Sequence, residues 1–91
     1  MNIIKSHTYT TDVYRVENGP TAETAPGHLT QGMFKVDYLA VSYLNGELEK
    51  VYLKGKRLKA DGEPGKTMGS RTFFGSFPHW VVDFLHTVDT A

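Results

Sequence analysis

The chain has 91 residues, a formal net charge of zero and no cysteine, which excludes thiol catalysis, cysteine-based zinc sites and disulfide bonds. A length of this order predicts one small domain, residues 1–91, and five Phe, five Tyr and one Trp supply apolar area for its core. The first residues lack the apolar segment of a secretory signal, and no window reaches the roughly 18 apolar residues of a membrane helix. We therefore expect a cytoplasmic protein without membrane contact.

The N-terminal part of the chain predicts one strand and then a long loop. Residues 8–16 are rich in Thr, Tyr and Val, which favour extended structure, and Asn18-Gly19-Pro20 ends the run. Residues 17–32 are mostly Gly, Pro, Thr and Ala with few large apolar side chains. This composition predicts a surface loop, and loops of such length are usually functional or disordered.

Residues 33–59 predict a central β-hairpin, because two β-prone runs flank Asn45-Gly46. Asn and Gly accept the positive φ angles that a type I′ turn requires. With a regular ladder, paired residue numbers sum to 91, so that Asp37 lies opposite Lys54 and Tyr43 opposite Leu48. One face would then carry Phe34, Val36, Tyr38, Ala40, Val51 and Leu53, and the other Leu39, Val41, Tyr43, Leu48 and Tyr52. Because both faces are partly apolar, we expect the C-terminal helix to cover one and an N-terminal or loop segment the other.

The C-terminal part predicts a turn, a short strand and a helix. Residues 61–70 contain three glycines and one proline and are interpreted as a long turn, after which residues 71–74 form a short strand. Ser76 is a suitable N-cap for a helix over residues 78–88, whose apolar stripe consists of Val81, Phe84, Leu85 and Val88. The predicted fold is α+β, with a mainly antiparallel sheet of three or four strands and one helix.

Two local patterns resemble enzyme or metal motifs, and neither has the context that its chemistry requires. Residues 60–67 match a permissive phosphate-binding loop in which Ala60 replaces the first glycine, but no apolar strand precedes them and no helix start follows. His79, Asp83 and His86 have helical i, i+4, i+7 spacing, yet they provide only three ligands on a face expected to be solvated. We expect no catalytic activity, no cofactor and no metal site.

Residues 50–71 contain seven basic and two acidic residues, a net charge of +5 in a neutral chain. Alternation along the second hairpin strand puts three of its lysines on the same side as an aromatic ring, an arrangement that holds single-stranded nucleic acid in other proteins. The candidate residues for binding nucleic acid or another anion are Lys50, Tyr52, Lys54, Lys56, Arg57, Lys59 and Lys66. The alternative is that these cations pair with acids and protect a sheet edge.

The function favoured by elimination is a non-catalytic protein-interaction module. Strands that present a long loop and a Gly-rich turn are typical of binding surfaces on a rigid scaffold. Aromatic residues beyond the needs of the core would contact the unidentified protein partner, and they are Tyr9, Tyr14, Tyr43 and Trp80. A homodimer through a sheet edge or helix face is the simplest version, and an accessory protein of a phage or mobile element fits the small size. Single-stranded nucleic-acid binding is the alternative.

Overall fold

The predicted α+β class is confirmed by the computed structural model, which describes residues 2–3, 9–24 and 32–90, without the side chains of residues 89 and 90. Its elements are β1 (Tyr9–Arg15), β2 (Thr21–Glu23), β3 (Met33–Leu44), β4 (Glu47–Leu58), β5 (Pro64–Phe74) and α1 (His79–Thr90). The sheet is antiparallel in the order β1-β3-β4-β5, and β2 pairs with the beginning of β3. Among the described residues the sheet thus has five strands, more than the three or four that the sequence predicted.

The hairpin turn lies where the sequence predicts it. Asn45 and Gly46 have φ angles of 53° and 85°, as a type I′ turn requires, and the predicted pair Tyr43 and Leu48 forms next to them. The predicted register is interrupted there, because the ladder shifts by one residue on the next step away from the turn.

Two β-bulges change the register between β3 and β4. Glu49 is an extra residue in β4, after which Ser42 pairs with Lys50, and Asp37 is an extra residue in β3. Tyr38 therefore lies opposite Lys54, and the predicted pair of Asp37 with Lys54 is wrong. Because the second bulge compensates the first, the pairs beyond Asp37 return to the register set by the turn.

The bulges place the buried apolar residues of both strands on one face, here called the covered face, on which α1 packs. Its buried core consists of Phe34, Val36, Leu39, Val41, Val51 and Leu53 from the sheet with Val81 and Leu85 from α1. The sequence placed Tyr38 and Ala40 with Phe34, which is wrong, because the extra residue at Asp37 inverts the alternation in β3. The predicted helix is confirmed and differs from α1 by one or two residues at each end.

The opposite side of the sheet is here called the open face, because no helix or strand of the described residues packs on it. The ladders put on this face Tyr9, Val13, Arg15, Lys35, Tyr38, Lys50, Tyr52, Lys54, Lys56, Met68 and Phe74. The expectation of a second covering segment is thus not met by the described residues.

Two segments predicted as irregular contain strand. β2 lies inside the predicted loop at 17–32. Thr24, the residue that follows β2, is buried, and the Thr24 hydroxyl accepts a hydrogen bond of 3.0 Å from the Gly32 backbone N–H. Residues 25–31 of that loop lie outside the described residues. β5 begins at Pro64, so that the turn between β4 and β5 is short and closes with a hydrogen bond of 2.8 Å from the Lys59 N–H to the Glu63 carbonyl.

Candidate functional site

The open face gathers aromatic and basic side chains in adjacent rows across the strands. One row runs from Arg15 on β1 through Tyr38 and Lys54 to Ser70 on β5, and the next contains Tyr52. Neighbouring strands are about 4.8 Å apart, so side chains in one row are in reach of each other. The bulge at Asp37 creates this arrangement, because it brings Tyr38 to the same face as Tyr52.

The rings and ammonium groups of this face contact one another. The Tyr38 and Tyr52 rings meet edge to face with centroids 6.1 Å apart, and the Lys54 Nζ lies 4.4 Å from the Tyr38 ring centroid. At the other end of the face the Lys50 Nζ lies 5.9 Å from the Tyr9 ring centroid. Such cation–π contacts contribute about 0.5–1 kcal/mol each at exposed sites. The lysines are therefore held beside the rings and can move to a phosphate at small cost.

The basic residues proposed from the sequence do not form one surface. Lys50, Lys54 and Lys56 lie on the open face with Tyr52. Arg57 lies opposite the buried Phe34, on the covered face, and together with Lys59 and Lys66 it lines a depression of about 240 Å³ at the turn between β4 and β5. The structure thus brings four of the seven predicted residues together on the open face and places the other three away from it, around the depression at the turn.

Two cations of the open face are absent from the set proposed from the sequence. Arg15 lies beside Tyr38 on β1, and Lys35 lies opposite Lys56 on β3. The predicted register could have indicated Lys35, because it already pairs Lys35 with Lys56, and the phase of the apolar residues could have indicated Tyr38, because Phe34 and Val36 occupy even positions whereas Leu39 and Val41 occupy odd ones. That break predicts an extra residue between Val36 and Leu39.

The aromatic residues proposed as protein anchors lie mostly on the other side of the sheet. Tyr14, Tyr43 and Trp80 are half-buried and pack against the core cluster, and the Tyr14 ring meets the Phe84 ring edge to face at 5.0 Å. Tyr9 differs from these three, because it lies on the open face and 47% of it is exposed. Their predicted role in partner binding stays a prediction.

Apolar side chains are also exposed on the open face. Val13, Met68 and Phe74 are 55%, 45% and 69% exposed, and they lie on β1 and β5, the two outer strands. The centre of the face is therefore aromatic and basic, whereas its borders are apolar.

The three helix residues considered as metal ligands form no metal centre with the other described residues. His79, Asp83 and His86 are exposed on α1, and within the described residues no three His, Cys, Asp or Glu side chains lie close enough to hold a metal ion. In the same part of the chain, no helix combines the length and the apolar composition needed to cross a membrane.

Comparisons of the chain with models of protein families, with curated proteins and with solved structures give no match. The open face is thus interpreted from its own chemistry.

Proposed function

We propose that the protein is a binding module that holds single-stranded nucleic acid on its open face. The observation that carries this proposal is the contact network of Tyr38, Tyr52 and Lys54, in which two rings and an ammonium group lie together at the centre of the open face. Bases stack on tyrosine rings whatever their sequence, and lysines pair with the phosphates between them.

Charge complementarity supports the choice of a nucleic acid. Five cations lie on the open face, namely Arg15, Lys35, Lys50, Lys54 and Lys56. A polyanion neutralises these charges and releases counterions, which is the main source of affinity in sequence-independent binding. The whole chain has zero net charge, and three of the five cations come from residues 50–71, which contain seven basic and two acidic residues.

The proposal is tested by fluorescence anisotropy with a labelled mixed-sequence 15-mer, as single-stranded DNA and as RNA. For three phosphate contacts on a single strand, affinity falls about 20-fold between 50 and 200 mM salt. Replacing Tyr52 by Ala removes one stacking platform and weakens binding about 5- to 150-fold, since stacking contributes about 1–3 kcal/mol per base.

A matched pair of double variants distinguishes binding at the open face from an effect of the total charge of the protein. Lys50→Gln with Lys54→Gln removes two charges from the open face, and Lys59→Gln with Lys66→Gln removes two at the β4–β5 turn. The first variant lowers the salt dependence by about 1.4 in the slope of log K against log salt. Equal losses in both variants, or no binding at 50 mM salt, contradict the proposal.

A protein-interaction module, including a homodimer, is the second candidate. The exposed Val13, Met68 and Phe74 at the borders of the open face favour it, because a protein partner that covered this face would bury all three side chains. Light scattering of the purified protein tests the homodimer. A dimer that Phe74→Ser converts to a monomer, together with no affinity for the 15-mer, supports this candidate over the first.

A further inference from the structure

A depression at one end of the open face contains polar groups that are not needed to bind nucleic acid without regard to its base sequence. It has a volume of about 840 Å³ and lies where the end of β1 and the turn after it meet the bulge of β3. Arg15, Tyr38 and Lys54 contribute a ring and two cations to its wall, and Glu17, Asn18 and Asp37 contribute two carboxylates and an amide.

Asp37 is held in this wall by the backbone. It is the extra residue of the β3 bulge, and its carbonyl accepts a hydrogen bond of 2.9 Å from the Val16 N–H, which ties the bulge to the chain leaving β1. Bulges commonly redirect a side chain beside a functional site. The Asp37 side chain is exposed, and within residues 9–24 and 32–90 its carboxylate has no hydrogen-bond or ion-pair partner.

An ionised carboxylate only accepts hydrogen bonds, and it accepts two parallel ones. The Watson–Crick edge of guanine presents adjacent donors at N1 and at the 2-amino group, whereas each other base presents donors from one nitrogen only. Single-stranded bases are read on this edge while they stack on an aromatic ring. The ring of Tyr38 and the carboxylate of Asp37 are neighbours in sequence and line the same depression.

From this arrangement we infer that the depression is a guanine-selective subsite of the nucleic-acid surface, an inference that rests on the proposed function. Tyr38 stacks on the base, Asp37 accepts from N1–H and the 2-amino group, and Arg15 and Lys54 contact the flanking phosphates. Lys54 leaves the Tyr38 ring when the base stacks, since its flexible stem lets the ammonium group follow a phosphate.

The test compares anisotropy binding of a 15-mer of thymidine with 15-mers carrying one central guanine, adenine or inosine. A bidentate contact discriminates by about 1–3 kcal/mol, so the guanine oligonucleotide binds about 5- to 150-fold more tightly than the thymidine one. Inosine lacks the 2-amino group and loses most of that preference.

Asp37→Asn removes the preference, because an amide presents one acceptor and one donor group instead of two acceptors. Glu49→Gln is the matched control, since it removes one negative charge at the other bulge of the same hairpin and keeps the preference. Melting temperatures of both variants check that they fold.

The outcomes separate this inference from the proposed function. Equal affinity for all four oligonucleotides, or a guanine preference that survives in Asp37→Asn, overturns the subsite and leaves the nucleic-acid surface standing. Absence of binding to every oligonucleotide overturns both.

Discussion

Replacing Gly55 by Ala tests how closely β3 and β4 approach each other beside the bulge at Asp37. Gly55 lies in β4 opposite Val36, directly beyond the extra residue Asp37. A Cβ atom at Gly55 would overlap the Lys35 carbonyl oxygen and lie 2.6 Å from the carbonyl carbon, and both are backbone atoms that cannot rotate away. The two central strands must therefore separate locally to accept it.

The expected loss is about 3 kcal/mol in the free energy of unfolding. Over-packing costs about 1–3 kcal/mol, and each ladder hydrogen bond weakened beside Val36 adds about 0.5–1.5 kcal/mol. A domain of this length has a total stability of about 5–14 kcal/mol, so a large part is lost. The melting temperature falls by about 12–24 °C.

Urea denaturation followed by tryptophan fluorescence and circular dichroism measures this loss, with Gly46→Ala as the control. Gly46 has a positive φ and nothing within 4 Å of the added Cβ, so its replacement costs only the conformational strain of about 1–2 kcal/mol. In a strand without the clash, Ala is favoured over Gly by about 0.5–1 kcal/mol. A Gly55→Ala variant as stable as the parent protein would therefore refute the close approach of the Lys35 backbone to Gly55.

Two further substitutions test the covered face by the same denaturation measurement. Leu53→Ala empties a fully buried position and lowers stability by about 2–5 kcal/mol without changing the denaturant dependence, and a loss below 1 kcal/mol would contradict the burial. Tyr14→Leu removes the edge-to-face contact with Phe84 that joins β1 to α1 and lowers stability by about 0.5–1.5 kcal/mol, an effect that disappears when Phe84 is already Leu.

The sequence predicted the features that depend on a few neighbouring residues. Asn45-Gly46 specifies its turn because these two residues tolerate positive φ, and the structure has both φ angles and the adjoining pair of Tyr43 with Leu48. The helix follows from the spacing of Val81 and Leu85, both of which are buried against the sheet.

Tertiary packing decided the rest of the ladder. A regular hairpin would put Leu39 and Val41 on the side opposite Phe34, and α1 can cover one side only. The extra residues Asp37 and Glu49 bring these apolar side chains under α1, and the ladder is irregular at both positions. The same extra residues move Tyr38 to the open face.

The sequence therefore predicted that the candidate site is aromatic and basic, but it did not predict all of the residues that form it. Strand alternation after the Asn45-Gly46 turn grouped Lys50, Tyr52 and Lys54, because all three lie on one strand beyond the bulge at Glu49. Arg15 and Tyr38 joined them only through pairing with other strands, which depends on where the core is buried. Local backbone preferences determined the turn and the helix, and the burial of apolar area under α1 determined which side chains face the solvent.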